Sequence, residues 1–134
     1  DRTCRLPMES ARGFYHKGRP QKYNYWMVVA LGKKYKSQLI LQTISDLYGD
    51  IGDSSFTISL YQDDTHKVLT KTFNSKETLK FEKGVYIDQL FPEVCNKKEN
   101  AIGYLYMVPS VYGGHAGFST IEAKNGSASI EHNF

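Results

Sequence analysis

Phe56, Ile58 and Leu60 alternate with Thr57, Ser59 and Tyr61 along residues 55–61. A repeat of two puts the apolar side chains on one face of a strand and the polar ones, with a single tyrosine, on the other. Such a strand packs on a core with one face and meets water or a partner with the other. Most of the chain after Tyr23 shows related patterns. Residues 23–31 are almost continuously apolar and end at Gly32-Lys33-Lys34, and residues 37–44 centre on Leu39, Ile40 and Leu41. Further strands are predicted over 66–73, 77–81, 85–87, 101–108, 117–124 and 127–134. In 101–108, Ile102, Tyr104, Tyr106 and Val108 fall on one side, and Leu105 and Met107 on the other. Asn125-Gly126 favours positive φ at both positions of a two-residue turn and predicts a hairpin. This spacing predicts an all-β fold of about eight or nine strands, a sandwich or a barrel.

The length of 134 residues fits one domain with a real core. Ten tyrosines and seven phenylalanines favour strands over helices. No apolar run is long enough to span a bilayer as a helix. Residues 1–22 carry Pro7, Gly13, Gly18 and Pro20 without a sustained period, and read as an irregular N-terminal arm on a body formed by 23–134. The net charge of +3 is unevenly spread. Residues 1–36 carry +7 and the remainder −4. A solvated arm is the ordinary reading of such an excess, while steering of an anionic partner is the functional one.

Two cysteines, Cys4 and Cys95, suggest one disulfide tethering the arm to the body. Two unrelated thiols are the alternative. The start Asp1-Arg2-Thr3-Cys4 has no apolar leader and reads as a processed product. Together with a disulfide, it points to a secreted protein.

Candidate chemistry is sparse. There is no Gly-x-Ser-x-Gly elbow and no recognised Ser/His/Asp order, so no enzyme is expected. His16, His66, His115 and His132 are dispersed, without ligand spacing, and neither a transition metal nor a cofactor is expected. Asp46, Asp50 and Asp53 crowd one loop and form a candidate calcium set. The preference of aspartate and glycine for turns is the favoured explanation of that loop. Basic residues are not gathered on a readable helix, so nucleic acid is not an expected partner. Asn125-Gly126-Ser127 matches an N-glycosylation acceptor at Asn125.

From Tyr23 onward the order is a hydrophobic strand ending in Gly32, then Ser-Phe-Thr-Ile-Ser-Leu-Tyr, then Glu77-Thr78-Leu79-Lys80-Phe81. Val85-Tyr86-Ile87-Asp88-Gln89-Leu90, Ala101-Ile102-Gly103-Tyr104-Leu105-Tyr106 and Gly117-Phe118-Ser119-Thr120-Ile121 follow. This order resembles the PLAT-type β-sandwich at the C-terminal end of secreted lipases, over most of the body but not over residues 1–22. The resemblance implies an antiparallel two-sheet β-sandwich of about eight strands that binds lipid surfaces or protein partners and carries no catalytic residues.

The expected function is therefore that of a secreted, non-enzymatic binding module for a lipid or membrane surface or another anionic partner. Tyr112 and His115 in a Gly-rich loop, and Trp26, would enter the interface. Arg12, Lys17, Arg19, Lys33 and Lys34 would meet phosphate headgroups. The alternative is a secreted effector or signalling ligand that binds a specific host or cell-surface protein through the same β-surface.

Overall fold

The computed structural model describes residues 25–43, 55–62, 67–109 and 115–133. Strands β1 (Tyr25–Ala30), β2 (Tyr35–Lys36), β3 (Gln38–Thr43), β4 (Phe56–Gln62) and β5 (Val68–Phe73) come first. A short helix α1 (Ser75–Thr78) and a 3-10 turn (Leu79–Lys83) lead to β6 (Val85–Tyr86) and helix α2 (Ile87–Leu90). Strands β7 (Ile102–Pro109), β8 (His115–Ala123) and β9 (Ala128–Asn133) complete the fold. All pairings are antiparallel. One sheet has the order β1-β7-β4-β5; the other has β8 at its centre, with β2 and β3 in one register along one side and β9 along the other. The two sheets are not closed into a barrel. Of the two architectures that the strand pattern allows, the sheets form the all-β sandwich and not the barrel.

The core lies between the sheets. Met27 and Val29 from β1, Phe56, Ile58 and Leu60 from β4, Leu105 and Met107 from β7, and Leu39 and Leu41 from β3 are buried within it. These are alternate positions on their strands, as a pleated backbone requires. A buried hydrogen bond fixes the crossing from one sheet to the other, because Ser37 Oγ accepts from Ala30 N at 2.8 Å. The segment after β1 is then stitched to the loop before β7 through Leu31 N to Ala101 O (2.8 Å), Lys33 N to Lys98 O (2.9 Å) and Asn96 N to Leu31 O (2.8 Å). That close approach accounts for Gly32, whose missing Cβ would stand 2.5 Å from the Glu99 carbonyl oxygen.

Two details differ from the sequence expectations. Residues 77–81 form no strand. Asn74 caps α1 instead, with Oδ1 accepting from Glu77 N at 3.0 Å and Glu77 Oε2 accepting from Asn74 N at 2.8 Å. This reciprocal cap is a helix start, and it overrides the β tendency of Thr78, Leu79 and Phe81. At the β8–β9 hairpin only Gly126 takes positive φ (87°). Gly126 N donates to Ala123 O (3.0 Å) and Ala123 N to Ser127 O (2.8 Å), so the loop has three residues with a glycine bulge rather than two.

Of the two cysteines expected to pair, Cys95 is a free, buried thiol, and Cys4 lies outside the described residues. Burial pushes the Cys95 thiol up to about 11, aided by the carboxylates of Asp88 and Glu93. At neutral pH almost none of it is thiolate, so it should react slowly with thiol reagents. Titration of unreduced protein with a chromogenic disulfide reagent should give slow release at Cys95 in buffer and two thiols per chain in urea. No release in urea would restore the disulfide.

Candidate functional site

The outer face of the β1-β7-β4-β5 sheet stands out chemically. Trp26 and Val28 occupy it from β1, and Ile102, Tyr104, Tyr106 and Val108 from β7. Thr57, Ser59 and Tyr61 do so from β4, and Val68, Thr70 and Thr72 from β5. No Asp, Glu, Lys or Arg stands at these strand positions. A chain that is 23% charged normally exposes charge on such a face.

The register gathers the aromatic residues. Trp26 lies opposite Tyr106, Tyr61 opposite Tyr104, and Ser59 opposite Tyr106. The Trp26 and Tyr104 ring centroids are 6.1 Å apart with their planes tilted by 35°. Trp26 is 57% and Tyr61 44% exposed. Trp26, Tyr61, Tyr104, Leu105 and Tyr106 line a shallow groove of about 310 Å³. Beside it, hydroxyls form cross-strand pairs, Thr57 with Thr72 at 3.1 Å and Ser59 with Thr70 at 3.2 Å.

The opposite sheet carries a different surface. Glu122 accepts from Gln38 Nε2, from Thr120 Oγ1 at 2.9 Å and from Tyr86 Oη at 2.9 Å. Lys36 pairs with Asp88 at 3.3 Å and lies over the Tyr86 ring. Partial desolvation raises the Glu122 carboxyl, but the three hydrogen bonds and the Lys36 charge outweigh it, leaving it below the usual carboxylate range. Tyr86 is raised, first by its hydrogen bond to Glu122. A depressed carboxylate stabilises the fold above its unfolded pKa of about 4.3, and that stability is lost as the pH falls through the folded value. The raised tyrosine loses its contribution as the pH rises above about 10. Urea midpoints of the wild type should therefore decline more between neutral and acidic pH than those of Glu122→Gln. Parallel curves would remove the linkage.

Among the described residues, Trp26 and the Lys33–Lys34 pair do not share one site. Trp26 faces outward on the aromatic sheet. Lys33 and Lys34 are exposed in the segment after β1, with Lys33 only 3.9 Å from Glu99 and Lys34 over the Tyr35 ring. Trp26 lies near the other end of β1, roughly 13 Å from Ala30 along the strand, so the strand separates these lysines from the tryptophan. The backbone of His115 opens β8, opposite Thr43. Asn125 is exposed, and its Oδ1 accepts from Ser127 N at 3.0 Å and Ser127 Oγ at 2.7 Å. Tyr112, Arg12, Lys17, Arg19, Asp46, Asp50 and Asp53 lie outside the described residues. Among the described residues, no group of three or more His, Cys, Asp or Glu side chains could hold a metal ion.

Tyr61, Tyr104 and Tyr106 are the residues that sequence reasoning did not single out as a site. Their sidedness was visible in the alternation of β4 and β7. Their meeting with Trp26 depends on strand order and register, which alternation does not encode. No family model, no curated protein and no solved structure matches this chain.

Proposed function

We propose that this protein is a non-catalytic binding module that meets its partner through the outer face of the β1-β7-β4-β5 sheet. One observation carries the reading: Trp26 and three tyrosines gather around a groove on a sheet face whose described strand positions carry no charged residue. Large amphipathic rings supply contact area at low entropic cost, and tryptophan and tyrosine are enriched among residues that dominate binding energy. A binding role also agrees with what the PLAT-type resemblance implies. Extracellular placement is part of the proposal, supported by the exposed Asn125-Gly126-Ser127 acceptor.

A second reading, an anionic lipid or other anionic partner, is favoured by exposed Lys33 and Lys34. The two readings separate in one experiment. Binding of the wild type, Tyr104→Ala and the double variant Lys33→Ala/Lys34→Ala is measured on four surfaces. These are phosphatidylcholine vesicles, vesicles doped with phosphatidylserine, immobilised neutral polysaccharides and extracellular-matrix proteins. The aromatic-face reading expects loss in Tyr104→Ala and retention in the lysine variant. The reverse pattern, with weakening at high salt, would transfer the function to the basic turn.

A further inference from the structure

Resting on the aromatic face as the binding surface, we propose that its ligand is a neutral carbohydrate chain laid across the strands.

Charge is the first argument. The strand positions of this face offer no cation to a phosphate, sulfate or carboxylate and no anion to a basic peptide. The other sheet, by contrast, carries Lys36, Asp88 and Glu122 in one linked cluster. An ionic ligand brought to the aromatic face would lose hydration without gaining a counter-charge, and a neutral ligand avoids that loss.

The second argument is the pairing of aromatic rings with hydroxyls. A pyranose ring has an apolar face of C–H groups and an edge of hydroxyls. The negative face of an aromatic ring attracts polarised C–H groups. Trp26 and Tyr104 lie tilted by 35° rather than stacked flat on one another, and more than half of Trp26 remains exposed. Next to the rings stand the Thr57–Thr72 and Ser59–Thr70 pairs. Each hydroxyl is one donor and a double acceptor. A single bond within a pair leaves a donor and further acceptors free for ligand hydroxyls. Hydrocarbon tails of a bilayer would leave those same groups unsatisfied.

Shape is the third. The groove of about 310 Å³ is near the lower bound of ligand clefts. It opens onto a sheet whose four strands span roughly 14 Å between the outermost backbones. That surface accommodates a short oligosaccharide lying flat.

The test uses the whole chain and its single tryptophan, Trp26, as reporter. An array of neutral plant, fungal, bacterial and animal oligosaccharides identifies candidates, and emission titrations measure affinity. Heparin and phosphatidylcholine vesicles form the comparison arms. The expected result is a saturable emission change with at least one neutral oligosaccharide, equal at low and high salt. Affinity should be weakened about tenfold or more in Tyr104→Ala and in Tyr61→Ala, with thermal midpoints close to wild type. Silence across the array, or binding to heparin alone, overturns the carbohydrate assignment. Vesicle or matrix-protein binding lost in Tyr104→Ala, without sugar binding, overturns it while leaving the aromatic face as the binding surface. Sugar binding unchanged in both tyrosine variants overturns both.

Discussion

Replacing Phe56 with alanine is expected to destabilise the fold by about 3–5 kcal/mol. Phe56 has no solvent exposure and sits at the start of β4, opposite Phe73 on β5 and Pro109 on β7. Truncation removes a ring from the inter-sheet core and leaves a cavity that surrounding strands, held by their ladders, fill only in part. Domains of this size have a total stability of about 5–15 kcal/mol, so the variant retains a reduced fraction of it. Urea denaturation followed by circular dichroism should show a large fall in midpoint with little change in slope. Thr57→Val is the control. It removes a hydroxyl pair with Thr72 on the outer face, and such a surface change stays within about 0.5 kcal/mol. If Phe56→Ala cost no more than Thr57→Val, the inward orientation of the apolar row on β4 would be wrong.

That orientation is legible in the sequence, because β4 buries one face and the repeat of two records it. β7 was readable in the same way, with Leu105 and Met107 inside and Tyr104 and Tyr106 outside. β1 gave a weaker signal. Its outer residues, Trp26 and Val28, are as apolar as its inner ones, so the run looked continuous. The same apolar outer face is what makes the candidate site. Its three strands contribute Trp26, Tyr61, and Tyr104 with Tyr106, far apart in sequence, and only the order β1-β7-β4 brings them together. Lys33 and Lys34 are close to Trp26 in sequence, but the extended strand carries them away from it.

The fate of Cys95 was equally hidden, since an even cysteine count says nothing about which thiols a core encloses. Residues 77–81 show the opposite case, a local helix-start signal standing directly before β-prone residues. Asn74-Ser75-Lys76-Glu77 has the spacing of a reciprocal cap, while the β-prone residues behind it suggested a strand.

The second large effect follows from that segment. A strand over 77–81 would put Leu79 and Phe81 on one face, and both would cost stability when truncated. A 3-10 turn has about three residues per turn, so side chains two residues apart point in directions about 120° apart. Phe81 accordingly has no exposure, whereas Leu79 is 59% exposed. Phe81 meets the Phe73 ring edge-on at a centroid distance of 5.2 Å, and Lys80 lies over both rings. Phe81→Ala should therefore cost about 3–5 kcal/mol, and Leu79→Ala less than about 0.5 kcal/mol. Asn74→Ala, which removes the cap, should fall between them at about 1 kcal/mol. Equal losses at Leu79 and Phe81 would reinstate the strand. A loss at Phe81 alone would establish that the capped turn, rather than an added strand, closes the core on the side of Phe73.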